Sequence, residues 1–336
     1  MRNVLADMEA QPEALQRLRA IPGINVRLVG PDGRPRPLSS DLIIDIHILF
    51  CTFPPSNFSE MRSLELIQLS TAGYSQLYDL PLVERGVRAC NGRGIFDTAI
   101  AEWNIAMMVN MVRDLRGMIR HQEAGIWDRA AIFQREVRGL VAGIWGYGGI
   151  GRETARLVKA LGLTVHVMSR KGVSPSGRVY TVPGTGDPKG DLPDRVYLSS
   201  QEMEFLEALD FLILSMPLTK TTTGIVGEKE LQALPSSAFI LNPARGPLIQ
   251  EDALLTALRC GWIAGAALDT HHYYPMPADH PLWRFPNVIM TPHISGSDKS
   301  PHFAERSWDI LVQNIERLVT GQPLLNELTQ GQLRGD

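Results

Sequence analysis

Six residues, Gly146-Tyr147-Gly148-Gly149-Ile150-Gly151, follow the apolar run LVAGIW and open a stretch with helical periodicity. A turn built this way can hold a dinucleotide. The first glycine permits the tight turn, Gly148 lets backbone approach a pyrophosphate, Gly151 allows close helix packing, and the helix N-terminus supplies positive potential. A glycine-rich turn with no ligand is the plainer alternative, and the strand-to-helix context weighs against it. About twenty residues on, where an NAD-selecting fold carries an acid for the ribose 2′-hydroxyl, stand Ser169, Arg170 and Lys171. Two cations and a hydroxyl suit a 2′-phosphate, because arginine presents a fork of donors to a doubly charged group. These residues read as NADP in preference to NAD, with solvated loop charges as the alternative.

The elements that must position these residues alternate along the chain. A periodic stretch over 9–19 is followed by the strand-like runs INVRLV, LIIDIHILF and LELIQLS. From Thr98 the segment TAIAEWNIAMMVNMVRDLRGMIRHQEAG carries apolar residues on most faces and predicts one long, heavily buried helix. A second alternating series then runs through LVAGIW, a helix to Ala160, LTVHVMSR, FLILSMP, AFILNPARG, AGAALDT and NVIMTPH, giving five or six strands. Strands alternating with helices predict parallel sheets, so the expected fold is α/β with two doubly wound units. Residues 172–193, rich in Gly and Pro, predict a surface loop longer than a neutral connection needs. RSWDILVQNIERLVTG predicts a last amphipathic helix before a polar tail.

Composition narrows the function classes. The 336 residues suffice for about two domains. At 44% hydrophobic and 21% charged the chain is globular in type. Its net charge of −3 provides no basic field for nucleic acid or anionic lipid, so a small-molecule partner is expected. The three cysteines lie far apart without CxxC spacing, as in a reduced cytoplasmic protein. No apolar run approaches the roughly 20 residues that cross a bilayer. His271, His272 and His280 cluster, but no Cys or carboxylate set with ligand spacing joins them, so no metal is expected.

The segment LNPARGPLIQEDALLTALRCGWIAGAALDT from Leu241, followed by PMPADHPLWRFPNVIMTPHISG, resembles the cofactor-domain signature of the D-isomer-specific 2-hydroxyacid dehydrogenases. That group includes phosphoglycerate, glyoxylate/hydroxypyruvate and formate dehydrogenases. LIQLSTAGY is similar to the family's substrate-carboxylate loop and AEWNIAMMV to the helix opening its cofactor domain, so the resemblance covers nearly the whole chain. It implies a flavodoxin-like substrate domain, residues 1–97 and 294–336, flanking an inserted Rossmann cofactor domain, 98–293, with the active site in the cleft. A homodimer through the cofactor domain is also expected.

By position, Arg245 matches the family's substrate-orienting arginine and His293 its acid/base histidine. Both suit the chemistry: the arginine fork can hold the carboxylate and carbonyl of a 2-oxo acid, and an imidazole titrating near neutrality can protonate the carbonyl oxygen. Ala72, Gly73 and Tyr74 match the loop whose N–H groups grip the carboxylate. Asp269 matches an acid near the nicotinamide carboxamide. Met216, Pro217, Thr223, Asn242, Ala244 and Gly296 match the cofactor side, although Pro and Asn there can also merely shape turns. One departure stands out. Where the family reads LDVFxxEPLP, the glutamate that partners the histidine falls on Tyr274 in LDTHHYYPMP. A one-residue shift placing His272 beside His293 is disfavoured, since two charged imidazoles repel. The expectation is an NADP-preferring reductase of small 2-oxo acids. The alternatives are formate-like oxidation, in which the missing glutamate matters less, and a dinucleotide-sensing protein with little turnover.

Overall fold

The alternating segments form two parallel sheets in a computed structural model that describes residues 1–129 and 135–334. The chain divides into two units: Met1–Ile95, Gly177–Val182 and Asp298–Asp336 make the first, Phe96–Ser176 and Pro183–Ser297 the second.

Unit 1 contains β1 (Arg2–Asp7), β2 (Ile24–Val29), β3 (Ile48–Cys51), β4 (Leu66–Leu69) and β5 (Arg88–Cys90), in the order β2-β1-β3-β4-β5. All pairings are parallel and the order is that of flavodoxin. β3 and β4 are buried throughout, as strands covered on both faces must be. Helix Pro301–Val319, capped by Ser300 with Pro301 in its first turn, lays Trp308 edge-on to Phe50 with ring centroids 5.2 Å apart. The chain beyond that helix is not simply polar tail. Arg88 grips Glu327 through two hydrogen bonds, Leu328 N–H donates to Ala89 O, and Leu328 and Leu333 enter the core.

Unit 2 contains β6 (Val141–Trp145), β7 (Thr164–Met168), β8 (Arg195–Tyr197), β9 (Phe211–Leu214), β10 (Phe239–Asn242), β11 (Gly265–Leu268) and β12 (Val288–Met290). Their order, β12-β11-β10-β9-β6-β7-β8, is the Rossmann arrangement extended by one strand. The topological switch lies between β6 and β9, where ligands of such sheets bind at the carboxyl ends of the strands. Among the described residues no helix is long and apolar enough to cross a membrane.

Three local expectations need correction. LIIDIHILF is not one strand: Ser40–Ile43 wind into a helical turn, Asp45 turns outward to pair with Arg27 at 2.6 and 2.7 Å, and only the end becomes β3. The long helix from Thr98 is two, Asp97–Val112 and Leu115–Glu123, broken where Asp114 takes φ 47° and its carboxylate caps Gly117 N–H. The first piece is buried along one side; the second buries no residue at all. The polar tract before FLILSMP hides β8, a three-residue strand with only Tyr197 buried, so unit 2 has seven strands. Between β7 and β8 the chain has neither helix nor strand, and its middle, 177–182, belongs to unit 1. There Tyr180 is buried and donates its N–H to Asn326 Oδ1.

Candidate active site

The glycine turn joins β6 to helix Gly149–Ala160. Gly146 adopts φ 102°, and a Cβ there would stand 2.8 Å from Met216 N; a Cβ on Gly151 would stand 2.4 Å from Gly146 O. Side chains at either position would close this cradle. Gly148, the helix N-cap, offers no side-chain acceptor to the first turn, which suits an anion from outside. Gly149 lets the Asp97 carboxylate approach the same positive end: a Cβ there would lie 1.7 Å from Asp97 Oδ2. The turn therefore fits a dinucleotide diphosphate, and Ile150 follows on the half-buried side of the helix. At the end of β7, Ser169 Oγ closes onto Gly172 O at 2.8 Å, presenting Arg170 and Lys171 outward. Neither cation makes a side-chain hydrogen bond or ion pair among the described residues.

At the other half of the sheet, β10 runs into Asn242-Pro243-Ala244-Arg245. Asn242 is buried and shapes this turn: its Oδ1 accepts from the N–H groups of Ala244 and Arg245, and its Nδ2 donates to Arg245 O. Arg245 emerges exposed, with Nη1 steadied by Ala244 O at 2.6 Å. Gly246 follows because a Cβ there would strike the His271 carbonyl at 2.5 Å, and this close approach sets the arginine beside the 271–274 segment. Met216 and Pro217 follow β9, where Pro217 O accepts from Thr222 Oγ1, while Thr223 bonds back to Thr219 O at 2.8 Å. Gly296 packs where a Cβ would meet the Phe96 ring at 3.1 Å.

His293 lies just past β12 at φ 56°, exposed, its N–H donating to Asp269 O at 2.8 Å and Thr291 O at 3.0 Å. Asp269 is fully buried at the end of β11. Its Oδ1 accepts from Thr291 Oγ1 (2.5 Å) and Ile294 N–H (2.9 Å), its Oδ2 from Ser295 N–H (3.0 Å) and Ser295 Oγ. All these bonds go to the loop that carries His293, holding it in a left-handed backbone that few non-glycine residues adopt. Trp103 Nε1 donates to Thr291 Oγ1 and His271 Nε2 bonds Thr291 O, adding two further ties. Tyr274 occupies the expected glutamate position, with its ring 5.6 Å from that of His293 and its hydroxyl accepting His271 N–H at 3.2 Å. His272 turns away to Ile249 O, and His280 pairs with Glu251 at 3.1 Å. No group of three His, Cys, Asp or Glu among the described residues could hold a metal.

In unit 1, β4 leads into the 72–74 loop. Thr71 Oγ1 bonds Gly73 O at 2.7 Å and Asn91 Nδ2 bonds Ala72 O at 2.7 Å, so the carbonyls are tied. The N–H groups of Ala72, Gly73 and Tyr74 donate to no atom among the described residues. These N–H groups lie on a stretch of the loop where Ala72 and Gly73 are exposed and Tyr74 is half-buried.

More than half of the chain, residues 105–295, matches the family described as D-isomer specific 2-hydroxyacid dehydrogenase, NAD binding domain. The chain belongs to the D-isomer specific 2-hydroxyacid dehydrogenases. Among curated relatives, it is 30% identical over 253 residues to 4-methyl-2-oxopentanoate reductase A of Aspergillus oryzae, spanning 75% of this chain and 71% of that one. It is 26% identical over 265 residues to a glyoxylate reductase of Thermofilum pendens, spanning 77% and 73%. Among solved structures, a D-isomer specific 2-hydroxyacid dehydrogenase family protein from Aeromonas salmonicida matches with a TM-score of 0.78 at 26% identity, over 98% of this chain and 99% of that one. As a member of this family the protein is an oxidoreductase that uses a nicotinamide dinucleotide and reduces 2-oxo acids.

Sequence reasoning missed some residues that shape this dehydrogenase's site. Trp103 and Thr291 are 188 positions apart, and only the tryptophan in AEW, a polar-tipped residue on a buried helix, hinted at a partner. His271 attracted notice solely as a possible metal ligand, and its hydrogen bond to Thr291 O has no signature in spacing.

Proposed function

We propose that the enzyme reduces a small 2-oxo acid of the glyoxylate or hydroxypyruvate type to the D-2-hydroxy acid, and runs the reverse, with NADPH preferred to NADH. The observation that carries the reading is the placement of Arg245 after β10 and His293 after β12, on strand ends separated only by β11. The bound dinucleotide supplies or accepts the hydride. Arg245 holds the carboxylate and polarises the carbonyl, while His293 delivers a proton to the carbonyl oxygen, or removes it in oxidation. Within unit 1, the N–H groups of Ala72, Gly73 and Tyr74 are the carboxylate-gripping loop that the family resemblance implies. Unit 2, with the glycine turn, Met216, Pro217, Thr223, Asn242, Ala244, Asp269 and Gly296, is the cofactor domain in this reading. The enzyme is cytoplasmic on its cysteine usage and pairs as a homodimer through unit 2, where Leu115, Met118, Ile119, Ile126 and Trp127 are exposed together along 115–127.

A purified-enzyme screen tests the reading: oxidation of NADPH and NADH against glyoxylate, hydroxypyruvate, pyruvate and larger 2-oxo acids, with formate plus NAD⁺ or NADP⁺ as control. Turnover of formate alone would replace this reading with formate oxidation, and dinucleotide binding without turnover would replace it with a sensing role. For cofactor choice, Arg170→Ala should lower kcat/KM with NADPH by about one to two orders of magnitude more than with NADH. That is the loss of one charge-assisted phosphate contact of roughly 1.5–3 kcal/mol. Equal losses with both cofactors would remove the basis for NADPH preference.

Tyr274 supplies a pH test. Its ring stands against His293 without bringing a negative charge. Tyr274→Glu should place a carboxylate there and favour the charged imidazole. Since reduction needs the protonated form, the basic limb of the kcat/KM profile should move to higher pH, each unit representing about 1.4 kcal/mol. A basic limb that stays in place would show that the side chain at 274 does not govern the proton on His293.

A further inference from the structure

The 172–192 segment is joined to the glycine turn by a cluster centred on the buried Asp187, with Tyr147 and Arg152 half-buried around it. Tyr147, inside the motif, donates its hydroxyl to Asp187 Oδ2 at 2.6 Å. Asp187 is 2% exposed, and its carboxylate also accepts the N–H groups of Gly190, Asp191 and Leu192 at 2.9–3.2 Å. Burial would raise this carboxyl, yet the phenol and the three N–H groups hold it below the ordinary carboxylate range. From the other side the Arg152 guanidinium lies 4.9 Å from the Tyr147 ring centre and donates to the carbonyls of Asp187 and Ser174. Glu153 accepts Gly186 N–H at 2.6 Å, and Ser176 N–H bonds Pro188 O, tying the two legs of the segment together.

The two cations at its root have no such support of their own. Ser169 is fixed by its N–H to Tyr197 O and by its hydroxyl to Gly172 O. Val173 and Leu192 pack against the core that Tyr147 also touches. Arg170 and Lys171 thus sit on a short piece of backbone anchored at β7 on one side and by the Tyr147–Asp187–Arg152 cluster on the other. A charged contact contributes most when its groups are placed before the ligand arrives. We propose that Tyr147, Asp187 and Arg152 are positioning residues for the 2′-phosphate contacts of Arg170 and Lys171, so that preference for NADPH depends on a hydrogen bond made from within the glycine turn. This rests on the NADPH reading above.

Tyr147→Phe removes the hydroxyl and keeps the ring that Arg152 covers. The ratio of NADPH to NADH affinity, read as dissociation constants from fluorescence titration without substrate, should fall by about three- to tenfold, and the kcat/KM ratio should follow through KM for NADPH rather than kcat. Arg152→Met should narrow the ratio in the same sense from the other side of the cluster, and serves where one variant folds poorly. Wild type and Arg170→Ala are measured alongside. If wild type shows no NADPH preference, or Arg170→Ala leaves it intact, the NADPH reading falls and this inference with it. If the preference exists and depends on Arg170, but Tyr147→Phe and Arg152→Met slow both cofactors equally or neither, the positioning role alone is overturned.

Discussion

Replacing His293 should reduce turnover of the preferred 2-oxo acid by about 10²–10⁴, the loss expected when a general acid is removed. The choice of replacement matters, because His293 sits at φ 56° and alanine there carries a left-handed penalty of roughly 1–2 kcal/mol. His293→Asn is the cleaner variant: asparagine tolerates that backbone, and the N–H bonds to Asp269 O and Thr291 O need no side chain. The effect should therefore appear in kcat, with KM for the 2-oxo acid and the thermal midpoint little changed. Steady-state rates at saturating NADPH, measured with a melting curve, decide the matter. Reduction persisting near the wild-type rate in His293→Asn would show that the proton comes from elsewhere.

Arg245→Ala should harm both kinetic parameters. The fork binds the carboxylate in the ground state and the polarised carbonyl in the transition state, so its loss weakens affinity and raises the barrier together. Two charge-assisted hydrogen bonds at about 1.5–3 kcal/mol each give a combined fall in kcat/KM of roughly 10²–10⁴. Arg245→Lys keeps the charge and loses the fork, so it should recover only a small part. The turn should survive either change, because Asn242 bonds the backbone of residues 244 and 245, not the guanidinium. A kcat/KM for Arg245→Ala within tenfold of wild type would exclude it as the substrate-orienting residue.

The parts of the fold that could be read from sequence were those in which local signals agreed. LVAGIW followed by the glycine turn and a periodic helix ends in the structure at Ala160, where the pattern itself ends. LIIDIHILF misled because a mostly apolar run does not reveal that Asp45 will turn outward to Arg27, 18 positions away in the chain. The break at Asp114 was marked only by Gly117 three residues on, whose missing Cβ leaves room for the capping carboxylate, and a lone glycine within a helical pattern is a weak signal. At the candidate site, Arg245 and His293 stood in long, ordered motifs. The network that sets His293 did not: Asp269 reaches residues 291, 294 and 295, and Trp103 reaches 291 from another helix. Pairings at such separations depend on strand order, which no local spacing encodes.

Unit 1 takes strands from the start of the chain and its covering helix from the end, and this has a consequence during synthesis. Phe50 packs on Trp308, Ala89 bonds Leu328, and Leu324 closes the same side of the sheet. When residue 95 has just been added, Trp308 is still 213 residues from being made. At ordinary elongation rates that interval is roughly 10–40 s, while unit 2, nearly continuous in sequence, can complete its own sheet. For that time this face of the sheet is covered only by helix Pro12–Arg19, through Ala14, Leu15 and Leu18, and lacks Trp308, Leu311, Val312 and Ile315. Apolar surface left open over that interval is what a holdase binds, and co-expression of one should raise the soluble yield if the wait is limiting.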